Sequence, residues 1–470
     1  MQNDFNLIFV LSPAGKCHST RRKMFRLGRL SMEMKLVIAT GVVFFSMLIS
    51  RTLLSDALDI VTRAKLFRVQ FLLLINSILL IGSLYIWKRT VSAFTNSICI
   101  SYRVAQCWRL LVLLFLLFAH SSHLAMFYLI AEEPHWLALV SYSCLGAYFI
   151  LVFLLFAFRC AVYCHKLVTR NPSTTKTELP TGAVTAAAQS ASGRIQTILA
   201  VLLTVLLTAL SLRNASLPPE IVRVEIPVEK LPHSLDYLKI ILLSDIHLGP
   251  TVGRSRLELV VSMVNNVDPD VVVIAGDLVD SQVSRLLTVS EPLRHMKSRL
   301  GSYFVTGNHD YYTADVERWF SHLRSLSIQP LHNGNARIFR KEGKEDWICL
   351  AGVDDLEARM LRYPGHGMDV KKALTGCDPD LPIILLAHQP HAAQQALEER
   401  PDIDLVLSGH THAGQMFPLS IFTYLVNPFF RGLYRVGHSQ VYVTSGTVYY
   451  GFPMRLGSRA EITEILLRAP

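Results

Sequence analysis

The chain has 470 residues, 51% of them hydrophobic and only 17% charged, a balance too apolar for an ordinary soluble protein and a length that suggests more than one domain. Its net charge of +10 is unevenly placed: residues 1–212 carry 20 Lys/Arg against 7 Asp/Glu (net +13), whereas residues 213–470 carry 26 against 29 (net −3). The basic excess lies beside apolar segments, where it orients helices in a membrane, and the C-terminal half has no positive field to hold a polyphosphate backbone, so no nucleic acid partner is expected.

A helix crosses a bilayer core with about 20 mostly apolar residues. Five segments come close: 36–54, 70–87, 110–130, 136–158 and 195–212. The basic run before the first (Arg21, Arg22, Lys23, Arg26, Arg29) would suit a signal peptide, but the segment begins late and no clear small-residue cleavage site follows, so it reads as a retained span. Residues 1–212 therefore read as a membrane domain, and residues around Glu132 to Pro134 join spans three and four into an antiparallel pair. His120, Ser121, Ser122 and His123 interrupt the third span. They read as interhelical hydrogen-bonding groups, because no carboxylate lies within the spans to partner them. Residues 169–192, rich in Thr, Ala and Ser without apolar periodicity, read as a flexible loop.

The Lys/Arg count is seven up to Lys35, then four, four, none and five in the successive loops. This predicts a cytoplasmic N terminus, five spans and a non-cytoplasmic C-terminal half. The first outer loop runs against the pattern with Arg51, Arg63, Lys65 and Arg68. The sequon Asn214-Ala215-Ser216 abuts the fifth span, too close to the membrane for use. Eight cysteines form no disulfide framework; Cys349 and Cys377, the two in the C-terminal half, read as free buried thiols, with an extracytoplasmic disulfide as the alternative.

In residues 213–470, short β-branched runs alternate with helical patterns. Strands are expected at 238–243, 271–275, 303–306, 383–387, 405–407 and 441–444, and helices at 256–266, 314–326 and 390–399. Continuous apolar runs of this length suit sheets covered on both faces, which makes the class α/β, with sheets inside and helices outside. Five of the strand ends carry polar clusters: Asp245 and His247; Asp277 and Asp280; Asn308, His309 and Asp310; His388; His410 and His412. One such residue at a strand end is ordinary turn chemistry, but five ends in one domain are not, and ligands of α/β sheets collect at the carboxyl ends of strands. Carboxylate oxygen and imidazole nitrogen suit Mn, Fe or Zn. Two such cations about 3.5–4 Å apart clamp a phosphoryl group and ionise the attacking water. The one-residue spacing of Asp245 to His247 and of His410 to His412 aims both members of each pair at one centre, with Gly276, Gly307 and Gly409 allowing tight turns. Asp354 and Asp355 end a further strand and are weaker candidates for the site, while His233, His295, His322, His332, His366, His391 and His438 read as surface or loop residues.

The ordered blocks Asp-x-His, Gly-Asp-x-x-Asp, Gly-Asn-His-Asp, a lone His and Gly-His-Thr-His, spanning about residues 238–415, resemble the calcineurin-like metallophosphoesterases. The stretch 409–415 and the tail 451–462 are similar to the branch of bacterial membrane-linked phosphoesterases that includes YkuE and the lipid A precursor pyrophosphatases. The resemblance implies an α-helical transmembrane bundle followed by an α/β metallophosphoesterase domain (a β-sandwich with flanking helices) over residues 213–470. It implies two divalent metal ions, one held by Asp245, His247 and His412, the other by Asn308, His388 and His410, with Asp277 between them. His309 would be the general acid or phosphate stabiliser, Asp310 would orient it, and Asp280 would be a turn or supporting residue. The expected function is metal-dependent hydrolysis of a phosphoester, phosphodiester or pyrophosphate bond in a phosphorylated small molecule or lipid. A protein phosphatase, or a non-catalytic membrane scaffold that kept the metal-binding fold, are the alternatives. About 25 residues separate the fifth span from the strand at 238, which confines the catalytic half to a layer beside the lipid bilayer.

Overall fold

The computed structural model describes residues 31–53, 58–95, 101–169, 182–340 and 346–470. The N-terminal basic run, Cys17, Cys99 and residues 170–181 of the expected loop lie outside the described residues.

Five helices come first: α1 (Met32–Leu53), α2 (Ile60–Thr95), α3 (Tyr102–Tyr128), α4 (Trp136–Val168) and α5 (Gly182–Ser216). Each carries an apolar stretch long enough to span a membrane, from 19 residues in α1 to 30 in α4. The beginning of α5 corrects the expected loop at 169–192, because residues from Gly182 onward are helical. The run of alanines at 186–188 has high intrinsic helix propensity, which extends the helix back from its apolar part without any amphipathic pattern to reveal it. His120 bridges two helices as expected: its Nδ1 lies 2.8 Å from Asn76 Oδ1 and its Nε2 3.0 Å from Ser83 Oγ, both on α2. The Tyr148 hydroxyl of α4 donates to the Leu79 carbonyl at 2.5 Å. Such bonds hold helices together where burial of apolar surface supplies little drive.

The rest of the chain runs β1 (Glu220–Pro227), β2 (Leu238–Leu243), α6 (Arg254–Val267), β3 (Val271–Ala275), α7 (Val283–Ser290), β4 (Ser302–Val305), α8 (Asn308–Tyr312), α9 (Val316–Ser325), β5 (Ile328–Pro330) and β6 (Gly334–Ile338). It continues through β7 (Ile348–Gly352), α10 (Leu356–Met360), α11 (Val370–Ala373), β8 (Ile383–Leu386), α12 (Pro390–Glu399), β9 (Leu405–Ser408), α13 (Leu419–Val426), β10 (Gly432–Val436), β11 (Ser439–Val443) and β12 (Glu461–Arg468). Two six-stranded sheets form, in the orders β1-β12-β2-β3-β4-β5 and β10-β11-β9-β8-β7-β6. Alternation along the strands divides the side chains. Ile240 and Leu242 of β2 face Leu386 and Leu407 of the other sheet, while Ile241 and Leu243 face outward onto α6, α7 and α9. Cys349, Leu385 and Val406 face α11 and α12. Both faces of both sheets are thus covered, which is why these strands read as unbroken apolar runs. β2, β3 and β4 are parallel neighbours, as are β8 and β9, so the motif-bearing ends meet along one edge of the sandwich.

The expected 25-residue tether is mostly structure. Strand β1 starts at Glu220, four residues past the end of α5, and pairs in parallel with β12. The α/β part also packs on the bundle directly. Met416 and Met454 join the core of the membrane helices, and the Phe417 ring lies 4.8 Å from that of Phe153. At the α3–α4 turn, Glu133 Oε1 accepts from Ser255 N at 2.8 Å, placing a carboxylate at the N-terminus of α6.

Cys349 and Cys377 form a disulfide with a Cα–Cα distance of 5.7 Å, against the expectation of free thiols. The sequence places them 28 residues apart with no paired motif. Only the packing of the segment after α11 against β7 brings them within bridging range. The sequon residue Asn214 lies within α5, and its side chain donates to the Arg455 carbonyl at 3.2 Å.

Candidate active site

Each motif sits on a sharp turn after its strand. Five of the seven expected ligands, Asp245, His247, Asp277, His410 and His412, adopt positive φ between 50° and 71°. Left-handed backbone costs a residue with a side chain about 1–3 kcal/mol and persists where the surroundings enforce it. Of the three motif glycines, Gly276 has the positive φ (87°) expected of a tight turn. Gly307 and Gly409 serve close approach instead: a Cβ on Gly307 would collide with Asp277, and one on Gly409 with Ser244 and Asp245.

The side chains form two adjoining clusters. In the first, His412 Nε2 lies 3.2 Å from Asp245 Oδ1 and 3.1 Å from His247 Nε2. In the second, His388 Nε2 lies 3.2 Å from Asp277 Oδ2, and His410 Nδ1 lies 2.9 Å from Asn308 Oδ1. The same Asp277 oxygen is 3.7 Å from His247 Nε2, so this carboxylate stands between the clusters. His410 and His412 part company, one to each cluster, in line with what the resemblance implies and unlike the single centre that their spacing alone suggests.

These groups fit divalent cations. The Ala275 carbonyl accepts from His388 Nδ1 at 2.7 Å, which fixes the tautomer and leaves the Nε2 lone pair buried without a hydrogen-bond partner. Likewise His247 Nδ1 donates to Asp280 Oδ1 at 3.0 Å, leaving its Nε2 to face that of His412. Two buried imidazole nitrogens in such proximity, ringed by carboxylates, make a donor set that a cation satisfies.

His309 Nδ1 lies 2.9 Å from Asp280 Oδ1, so the group that orients His309 is Asp280. Asp310 was expected in that role. Its carboxylate instead accepts from the backbone N–H groups of Gly307 (2.7 Å), Asp277 (3.0 Å), Leu278 (3.2 Å) and Val279 (3.2 Å). Its place at the third position of α8 turns the side chain back onto that helix's own N-terminus, as in a capping box. Burial works against a charged His309, but Asp277 and Asp280 prevail and raise it to about 9. Burial likewise opposes ionisation of Asp280, and the His247 and His309 imidazoles overcome it and hold the carboxyl at about 2. A half-buried imidazolium beside two carboxylates is a poised proton donor.

The calcineurin-like phosphoesterase family model matches residues 238–414. The protein named "Transmembrane protein with metallophosphoesterase domain" of Danio rerio is 63% identical over 446 residues, covering 95% of this chain and 100% of that protein. The protein of the same name from Bos taurus is 51% identical, covering 94% of this chain and 98% of its own length. The chain belongs to the calcineurin-like metallophosphoesterases. The uncharacterized metallophosphoesterase YkuE of Bacillus subtilis (strain 168), 29% identical over 246 residues, covers 51% of this chain and 82% of its own length. As a metallophosphoesterase the protein is a phosphoester hydrolase of a family that binds divalent metals, and its five apolar helices make it a membrane protein.

Several groups around the metallophosphoesterase centre escape a reading of the sequence. The Tyr450 ring lies 4.3 Å from that of His309 and 4.8 Å from that of His247, but no metal-capable residue marks it. Arg455 is fully buried, and burial pushes its guanidinium down to about 10. It donates to the carbonyls of Ser445, Val448 and His412. Its own backbone N–H reaches Ser211 of α5 at 3.0 Å, so this one residue links a membrane helix to the loop of a metal-cluster histidine. His332 and His366, expected as surface or loop residues, lie in loops but gather around Asp354. His332 Nδ1 is 2.7 Å from its Oδ1, and the side chain of His366 is only 1% exposed. Asp355 turns the other way, to Gln389 beside His388.

The centre opens into a cavity of about 370 Å³ between the catalytic unit and the membrane helices. Asn308, His309 and Tyr450 line it from the site, and Phe67 and Phe71 of α2 and Phe127 of α3 line it from the membrane helices. His123, the second histidine of the third span, also faces it.

Proposed function

We propose that the protein is a two-metal phosphoesterase that takes a lipid-linked phosphoester or pyrophosphate from the bilayer beside it. The observation that carries this reading is the shared cavity, walled both by the site and by aromatic side chains of membrane helices. A water-soluble substrate has no use for such a wall, whereas an alkyl chain does. Helix α13 supports the same reading. It follows the His412 loop, buries none of its residues, and exposes Phe422 (68%), Tyr424 (63%) and Leu425 (73%) beside the bundle, as a segment lying in the membrane interface does.

In this proposal Asp245, His247 and His412 would hold one cation and Asn308, His388 and His410 the other, Asp277 would contribute to both, and Mn, Fe or Zn are the metals the donor set suits. Bound there, the cations would polarise the phosphoryl oxygens and make water a better nucleophile. The rest falls to the chain. Asp280 holds His309 with its proton directed into the cleft, and His309 gives that proton to the leaving oxygen as the P–O bond breaks. Residues 1–212 and 213–470 act as anchor and catalytic unit. The test is the full-length protein in liposomes, given one phosphodiester headgroup with and without an alkyl chain. A kcat/KM at least about tenfold higher with the chain is expected, since each buried methylene contributes about 0.8 kcal/mol. Equal turnover of the two would leave the phosphoesterase and remove the lipid.

We further propose that the catalytic unit faces the non-cytoplasmic side. Five spans, the Lys/Arg bias and the Cys349–Cys377 disulfide agree on this, because disulfides persist in oxidising compartments. In intact cells a C-terminal tag should be reachable by external or lumenal protease, and thiol labelling of unreduced protein should leave Cys349 and Cys377 unmodified. A tag protected on the cytoplasmic side, with both thiols labelled, would reverse the orientation.

A further inference from the structure

Four arginines line the cavity: Arg362, which follows α10, and three at the bundle, Arg63 and Arg68 of α2 and Arg285 of α7, which bonds the Phe127 carbonyl of α3. Among the described residues Asp280 is the one carboxylate in that lining, and it is engaged with His247 and His309. None of the three arginines has a carboxylate partner among the described residues. Arg68 Nη2 donates to the Tyr312 carbonyl, Arg285 Nη1 donates to the Phe127 carbonyl at 2.8 Å, and Arg63 Nε is buried with no hydrogen-bond partner. Arg63 and Arg68 are half-buried, where unpaired positive charge opposes folding unless something anionic is received, and Arg285 stands exposed beside them.

The chain's own charge pattern raises the same question. The segment that the charge pattern reads as an outer loop holds Arg51, Arg63, Lys65 and Arg68, where the bias of the other loops calls for few basic residues; in the structure Arg51 lies in α1 and the other three in α2. Two of those four point into the cavity, so they serve a site rather than topology. Their position identifies the ligand. Arg68 bonds the backbone of Tyr312, whose ring lies 5.1 Å from that of His309. An anion held by the arginines is therefore a near neighbour of the group at the metal clusters.

Building on the lipid-linked reading, we infer that Arg63, Arg68 and Arg285 form a second anion subsite for a phosphoryl group attached next to the scissile one. The favoured substrate is then an amphiphile with two linked phosphoryl groups, a lipid diphosphate, with the chain against the aromatic side chains of the cavity. Guanidinium groups suit this task because their planar donors pair with phosphoryl oxygens two at a time. The phosphate of a neighbouring phospholipid is the other source of the same chemistry, and the experiment separates them.

The full-length protein in phosphatidylcholine nanodiscs is titrated with four non-hydrolysable probes: farnesyl methylenediphosphonate, farnesyl phosphonate, methylenediphosphonate and methylphosphonate. The wild type should bind farnesyl methylenediphosphonate about tenfold or more tightly than farnesyl phosphonate. The double variant Arg68→Gln, Arg285→Gln should lose that preference while its affinity for farnesyl phosphonate stays within about threefold. Arg68→Lys with Arg285→Lys should recover part of it. A preference unchanged in the double variant means that the diphosphonate is held by the metals alone and overturns the subsite. Equal weakening for both farnesyl probes overturns it too, by making the arginines a site for bilayer phosphate. If the farnesyl group adds nothing but methylenediphosphonate still depends on the arginines, the subsite stands and the lipid reading falls.

Discussion

Asp277→Asn should lower kcat by at least about 10³-fold, because forfeiting a shared cation removes several kcal/mol of charge stabilisation and each 1.4 kcal/mol is about tenfold in rate. Asp277 is 2% exposed and its Oδ2 faces His388 at 3.2 Å and His247 at 3.7 Å. Burial opposes its ionisation, yet His388, His309 and His247 outweigh it and hold the carboxyl well below the usual range. Its Oδ1 accepts from the His309 backbone N–H at 2.8 Å, a bond the asparagine oxygen retains. The substitution therefore removes charge and bridging capacity with little change in volume. Elemental analysis should find metal lost along with activity, and exhaustive chelation of the wild type should reproduce the loss, with Mn²⁺ restoring turnover. A variant that keeps wild-type metal content and turns over within tenfold of wild type would mean that Asp277 bridges nothing.

His309→Ala should lower kcat by roughly 10²–10⁴-fold, the usual span for a lost general acid, while metal content stays near normal. His309, His247 and Asp277 are close enough to be considered a third metal trio. The Nδ1 of His309, however, is committed to Asp280, which is why loss of metal is not expected. The pH profile separates the roles further. The neighbouring carboxylates raise His309 to about 9, so the acid is protonated at neutral pH and loses its proton as pH rises through that value. Bound cations add repulsion, so the alkaline limb of kcat should fall at or below about pH 9, and His309→Gln should flatten it. A wild-type rate for His309→Ala would remove the proton-donor role, and an unchanged alkaline limb in His309→Gln would assign it to another group.

The clustering of the candidate ligands was legible because the signal for each is local. A metal ligand needs a particular side chain at the end of a strand, and Asp245, Asp277, Asn308, His388 and His410 each carry that signal within a few residues. The spans were legible for the same reason, since twenty apolar residues in a row have few other uses. The orienter of His309 was misplaced because adjacency in sequence favoured Asp310, whereas the helical turn of α8 swings Asp310 back to its own N-terminus and leaves Asp280, from another strand end, to meet the imidazole. Arg455 had no readable signal at all, as a buried guanidinium and an exposed one look alike in a sequence.

By itself, then, the sequence determined the composition of the centre and the presence of the membrane helices, because both rest on short-range patterns of side-chain type. The tertiary structure decided what no short window contains. Packing after α11 paired Cys349 with Cys377, and the strand ends shared His410 and His412 between two clusters. Docking of the catalytic unit on α2 and α3 turned an apparent fault in the charge bias, Arg63 and Arg68, into the wall of a cavity that opens onto His309. Such features depend on which surfaces meet, and residues more than two hundred positions apart meet only when the whole chain has folded.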